Sequence, residues 1–212
     1  MALRALLVAN RAEIAIRVLR AAAELGIRTV AVHSADDVGS PHVRHADGVR
    51  PLPGTGPAAY LDVDAVIAAA VESECDAIHP GYGFLSERAD FAERCAAAGI
   101  TFVGPRPELL ATFGDKSRAR RLAAEHDVPL LPGTSGPTTL AEAEAFFAAQ
   151  PPGSAIVLKA IAGGGGRGMR VVRDRADLAE AFTRCRSEAE AAFGRGDLYA
   201  ERHLGRARHV EV

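Results

Sequence analysis

The stretch IVLKAIAGGGGRGMRVV, residues 156–172, sets Gly163, Gly164, Gly165 and Gly166 in a row between two short aliphatic runs, with Lys159 on the first run. A two-residue hairpin turn needs no such row. Each glycine costs roughly 0.5–1 kcal/mol of backbone entropy relative to alanine. The return on that cost is positive φ and close backbone approach, which let several N–H groups face one anion. Gly163, Gly165 and Gly168 satisfy G-x-G-x-x-G, but a dinucleotide fingerprint requires a helix to open at the third glycine, and MRVVRD is strand-like. The Lys-Ser/Thr pair that would complete a Walker A loop is missing too. What remains is a strand–loop–strand flap of the kind that covers nucleotide phosphates, with Lys159 as a cation beside it. A flexible turn without a ligand is the alternative.

Around the flap the spacing predicts helix at 140–149, strand at 156–160, strand at 169–173, helix at 177–193 and strand at 198–202, a small α+β unit with a hairpin. The residues before it alternate differently. LRALLVAN, RTVAVHS, DAIHP and ITFVG read as buried strands, separated by helical patterns, which predicts a parallel sheet with helices on both faces. The first helix is expected to bury Ile14, Val18, Ala21 and Leu25 and to end at Gly26, and Asp62 is the expected N-cap of the next clear helix. One helical segment is expected over 107–126. The Pro/Gly/Thr cluster VPLLPGTSGPTT then reads as a hinge. RHVEV at the end looks like the start of another strand, so the 212 residues are expected to be the front of something longer.

The composition is that of an ordinary globular chain, with 48% hydrophobic and 25% charged residues. A formal charge of −2 offers no general attraction to polyanions, which argues against a nucleic-acid partner. Cys75, Cys95 and Cys185 are scattered, with no CxxC spacing, and read as reduced, buried thiols rather than disulfides or zinc ligands. The N-terminus is broken by Arg4, Arg11, Glu13 and Arg17, leaving no signal-peptide core. No 18-residue apolar run exists, so no membrane span is expected. The expected address is the cytoplasm.

The segments ANRAEIAIRVLRAAAELGI, HPGYGFLSE, GPRPELLATFGDKSRAR, VLKAIAGGGGRGMRVV and YAERHLGRARHVEV follow one another in that order. Together they resemble the front half of biotin carboxylase, the ATP-grasp component of biotin-dependent carboxylases. The resemblance implies an α/β chain: a Rossmann-like parallel-sheet (pre-ATP-grasp) domain at 1–113, a helix and hinge at 114–134, a small α+β ATP-grasp lid at 135–203, and the start of a larger ATP-grasp domain at 204–212. It implies ATP- and bicarbonate-dependent carboxylation of biotin on a carrier protein or domain, through carboxyphosphate, within an acyl-CoA carboxylase that also holds a carboxyltransferase component. Self-association of the full-length protein is implied as well.

Site residues carry over where the motifs match. Lys116 resembles the lysine that contacts nucleotide phosphates; without the motif it would pass as one member of a basic helix with Arg118, Arg120 and Arg121. Lys159 resembles the lid lysine on the phosphates, and Gly165 and Gly166 the glycines that close over the nucleotide. Glu201, Arg202, His203 and Leu204 match the hinge that holds adenine, where a carboxylate and neighbouring backbone N–H and C=O groups can read the amino group and ring nitrogen. On its own Glu201 reads as a surface charge at a strand end. His209 and Glu211 match a strand bordering the nucleotide and biotin. His79 and Pro80 end a parallel strand, where ligands gather, so Tyr82, Gly83 and Glu87 are expected to face the biotin cleft or to support it.

Two departures stand out. The family shows NRGEIA, whereas Ala12 stands here: harmless within a helical first turn, strained if its φ is positive. The family's Mg2+ ligands and its bicarbonate and biotin cations are expected downstream of Val212, so no catalytic group or metal ligand is assigned within these residues, and alone they are expected to be inactive. The alternatives are another ATP-grasp ligase, such as a carbamoyl-phosphate synthase-like protein, and a non-catalytic nucleotide-binding remnant.

Overall fold

Strands buried on both faces read as unbroken apolar runs, and β1 (Ala5–Val8) is such a run, with all four residues buried. The computed structural model describes residues 3–162, 168–208 and 210, and divides into two units between Ala111 and Thr112. In the first unit β1 pairs in parallel with β2 (Arg28–His33) and β4 (Ala77–His79). The short strands β3 (Gly48–Pro51) and β5 (Thr101–Phe102) complete a five-stranded parallel sheet of order β3-β2-β1-β4-β5. Alternate β1 residues serve opposite cores. Ala5 and Leu7 pack with Val30, Val32, Ile78, Val66 and Phe91, under α3 (Val63–Glu72) and α4 (Ala89–Ala97). Leu6 and Val8 pack with Ala15, Leu19 and Ala22 of α1 (Ala12–Glu24). A one-turn helix, α2 (Gly56–Ala59), leads into α3, whose N-cap Asp62 accepts the Ala65 N–H at 3.0 Å.

Three sequence expectations for this part of the chain need correction. The buried stripe of α1 is Ala15, Leu19 and Ala22, one residue round from the expected face, and Leu25 is 76% exposed. Leu19 is the large side chain at the centre of this stripe, flanked by two alanines. Edge strand β3 was not anticipated, because GVRP carries a glycine, an arginine and a proline and shows no apolar alternation. The helical segment over 107–126 is two helices, α5 (Pro107–Gly114) and α6 (Lys116–Glu125). Asp115 stands between them, its carboxylate accepting the N–H groups of Ser117 and Arg118 at 2.9 and 3.0 Å, and so starts a new helix.

The second unit is a three-stranded antiparallel sheet of order β7-β6-β8, formed by β6 (Ile156–Ala160), β7 (Met169–Val172) and β8 (Leu198–Arg202). One face, carrying Ile156, Leu158, Ala160, Val172, Leu198 and Ala200, packs on α7 (Leu140–Ala148) and α8 (Leu178–Phe193) through Ala143, Leu178, Phe182, Cys185 and Ala189. A capping box between Thr139 and Glu142 starts α7, and left-handed Gly194 ends α8. The Pro/Gly-rich segment read as a hinge lies inside this unit. Backbone bonds of 2.8 Å from Thr134 to Ala200, from Thr138 to Leu198 and from Arg202 to Pro132 strap it along β8. All three cysteines are buried and free, and burial pushes the Cys95 and Cys185 thiols up to about 11.

Ala12 adopts φ +53°, the left-handed region, at the first residue of α1. For an L-residue this conformation costs about 1–2 kcal/mol, a penalty glycine escapes. Ala12→Gly is therefore expected to stabilise the first unit by about 1 kcal/mol in urea unfolding; a loss of stability would contradict this.

Burial also holds the imidazoles of His42 and His79 below their ordinary pKa. Between the depressed folded values and about 6.5, the unfolded chain binds protons that the native one does not, so stability is full above that pH and erodes as pH falls below it. His79 Nδ1 accepts the Gly81 N–H at 3.0 Å. Asparagine can keep an acceptor there without titrating, so His79→Asn should flatten part of the decline in melting temperature between pH 7 and 5.5. An unchanged slope would count against His79 as a contributor.

Candidate functional site

The face of the small sheet turned away from α8 carries Val157 and Lys159 of β6, Tyr199 and Glu201 of β8, and Met169 and Val171 of β7. It is buried along β8, where Tyr199 and Glu201 are 4% and 7% exposed, and open along β7, where Met169 and Val171 are 48% and 38% exposed. Lys159 lies in register with both Tyr199 and Met169, so a cation stands between an aromatic ring and an exposed apolar strip.

Glu201 organises this face. Its Oε1 accepts from Arg120 Nη1 at 2.6 Å, and its Oε2 pairs with the Lys159 ammonium. The side chains of Arg120, Lys159 and Glu201 are 18%, 29% and 9% exposed. Arg120 also donates to the Leu131 carbonyl at 2.7 Å and lies 5.7 Å from the centroid of the Tyr199 ring. Burial and the nearby Glu201 charge push the Tyr199 phenol up to about 12. Position 133 has no room for a side chain: a Cβ there would sit 2.9 Å from Arg120 Nη2 and 2.9 Å from the Ala200 carbonyl oxygen. Gly133 also bridges Glu201 through the backbone.

Glu201 is thus a buried ion-pair centre and not the surface charge that its strand-end position implied. Lys116 opens α6 one residue after Asp115, and Asp115 forms an antiparallel bridge with Ala162, just past β6. That bridge brings Lys116 to the end of β6 that carries Lys159. Arg202 donates its N–H to Pro132 and its Nε to Gln150 Oε1, both within 3 Å, and His203 donates its N–H to Ala155 at 2.9 Å. The N–H groups of Arg202 and His203 are thus bonded within the unit. Leu204 is 48% exposed. Gly165, Gly166, His209 and Glu211 lie outside the described residues.

In the first unit, HPGYGFLSE begins at the end of β4. The Asn10 amide donates to the carbonyls of Pro80 and Tyr82 at 2.8 and 2.9 Å. Gly81, at φ +67°, leaves no room for a side chain, because a Cβ would meet Asn10 Nδ2 at 2.5 Å. Phe84 stacks on Tyr60 and Leu85 is fully buried, whereas Tyr82 is 65% exposed and Gly83 and Glu87 are exposed. The loop therefore has an anchored half and a presented half. Sequence reasoning missed Arg120, Gly133, Tyr199 and Met169. The four-residue spacing of Lys116 and Arg120, which puts both on one helix face, is the signal that would have drawn attention to Arg120.

Residues 2–110 match the family of the biotin carboxylase N-terminal domain, and residues 115–212 match the carbamoyl-phosphate synthase L chain, ATP binding domain. The chain is 51% identical over 214 residues to the mitochondrial pyruvate carboxylase of Homo sapiens and 49% identical over 213 to the pyruvate carboxylase of Staphylococcus aureus. Each alignment covers 99% of this chain and 18% of the relative, so the chain spans less than a fifth of the length of these curated relatives. Among solved structures, the biotin carboxylase domain dimer of Hydrogenobacter thermophilus 2-oxoglutarate carboxylase, in complex with MgADP, ADP and bicarbonate, superposes with a TM-score of 0.92 at 39% identity. It covers 97% of this chain and 45% of that one. Biotin carboxylase of Campylobacter jejuni gives 0.89 at 40% identity, over 96% of this chain and 46% of that one. The Rossmann-like sheet followed by a small antiparallel sheet is thus the architecture of these ATP-grasp enzymes. With about half its length matching their N-terminal domain and nearly all of it superposing on their structures, this chain belongs to the biotin carboxylase family.

Proposed function

We propose that this chain forms the front of a biotin carboxylase that uses ATP, Mg2+ and bicarbonate to carboxylate biotin on a carrier protein or domain. The observation that carries this is the Asp115–Ala162 bridge, which seats Lys116 at the same end of the small sheet as Lys159. Two cations there offset clustered phosphate charge, and Gly165 and Gly166 would close over it. The exposed apolar strip of Met169 and Val171 offers a flat surface for the base, with Glu201, Arg202, His203, Leu204 and His209 along the adenine side. Tyr82, Gly83 and Glu87 are assigned to biotin, as is Glu211.

The relatives reported above are pyruvate carboxylases. We therefore favour a keto acid such as pyruvate as final acceptor over the acyl-CoA expected from sequence, with a carboxyltransferase component supplying that step. The neighbouring biotin carboxylase dimer supports self-association. Among the described residues no helix is long and apolar enough to cross a membrane, and we assign the protein to the cytoplasm.

Calorimetric titration of the full-length protein with ATP and ADP tests the assignment. Lys159→Met should weaken binding by about 10–100-fold, the worth of a charge-assisted contact. Arg173→Met, on an exposed residue just past β7, should stay within about twofold. Equal losses would mean that general positive charge, and not a site, attracts the nucleotide.

A further inference from the structure

The two cations on Glu201 are held very differently. Arg120 is fixed on three sides: Glu201 Oε1 at 2.6 Å, the Leu131 carbonyl at 2.7 Å and the Tyr199 ring at 5.7 Å. Gly133 keeps open the space through which its guanidinium passes. Lys159 is more exposed, at 29% against 18%, and among the described residues its ion-pair partner is Glu201. Its ammonium rides on a flexible four-carbon stem, whereas the planar fork of Arg120 is pre-organised. For Lys159 to meet a phosphate it must share or release Glu201, and a carboxylate this buried tolerates no loss of its last counter-ion.

We propose that Arg120 is a positioning residue that keeps the Glu201 carboxylate neutralised and in place, so that the Lys159 ammonium can turn to an anionic phosphate group. This rests on the assignment of Lys159 to nucleotide phosphate. Without Arg120, Lys159 becomes the sole counter-ion of Glu201 and is withdrawn from ligand binding. The carboxylate then competes with phosphate for one cation. The same arrangement gives Glu201 a defined role: it stores Lys159 at a fixed place on β6 and hands it over at low cost.

A double-mutant cycle on the full-length protein, read by calorimetric titration with ADP and ATP, tests this. Arg120→Met should weaken binding about tenfold in the parent, yet less than about twofold in a Lys159→Met background, because coupled residues are not additive. Arg120→Met/Glu201→Gln should bind within about threefold of Glu201→Gln alone, since removing the competing charge frees Lys159 again. Arg120→Lys, which keeps the charge with a single ammonium, carries the same cycle if Arg120→Met fails to fold; its loss should be smaller and should likewise vanish without Lys159. Equal losses in both backgrounds, or no loss from replacing Arg120, would overturn the proposal while leaving the Lys159 assignment standing. If Lys159→Met alone leaves binding unchanged, it is the nucleotide assignment that fails, and this proposal fails with it.

Discussion

A carboxylate with 9% of its side chain exposed persists in the second unit because two cations take its two oxygens. Desolvating an ion costs several kcal/mol, and only close, hydrogen-bonded partners offset it. Glu201 therefore dictates much around it. It ties β8 to α6 through Arg120 and to β6 through Lys159, and its backbone bridges Gly133 in the strapped segment. The other face of the same sheet is mainly apolar and packs on α7 and α8, with Arg170 at its β7 edge paired to Glu188 of α8. One sheet thus has a face that gives stability by burial and a face that spends some of it to hold charges in place.

The first unit shows a comparable division at the carboxyl ends of its parallel strands. The Asn10 amide bonds the carbonyls of Pro80 and Tyr82, and Gly81 lies so close that no side chain fits. Nearby, Asp37 is partly buried, which on its own would raise its pKa. Hydrogen bonds from Arg11, Ser40 and Tyr60 outweigh that and take the carboxyl down to about 2. The Tyr60 phenol, buried and donating to Asp37, rises to about 12. These contacts fix the loop that presents Tyr82 and Glu87, while the sheet beneath them has an apolar core on each face.

Much of this was legible in the residues. The aliphatic runs on either side of the glycines predicted β6 and β7, and the alternation of strand and helix patterns before them predicted the parallel sheet covered on both faces. Where apolar residues surround a helix, periodicity misled: Ala15, Leu19 and Ala22 of α1 lie against the sheet and Leu25 points outward. Asp115 is a cap inside what reads as one continuous helix, and its effect depends on two backbone N–H groups that sequence alone does not display. Arg120 was hidden for another reason. Among Arg118, Arg120 and Arg121 it looks like a solvated basic face, and its partner lies 81 residues away. Long-range ion pairs leave no local pattern, so Glu201 and Arg120 became visible as a pair only in three dimensions.

The burial of Glu201 between two counter-ions can be measured directly through urea unfolding, followed at the backbone amides of β6 and β8. Replacing Glu201 with Leu leaves Arg120 and Lys159 facing each other without their anion, and should cost about 3 kcal/mol, as breaking a buried ion pair does. Converting all three positions to apolar residues, Arg120→Met, Lys159→Met and Glu201→Leu together, should return most of that loss, because no unpaired charge is left in the interior. A Glu201→Leu variant within about 0.5 kcal/mol of the parent would match a surface substitution and would contradict the account.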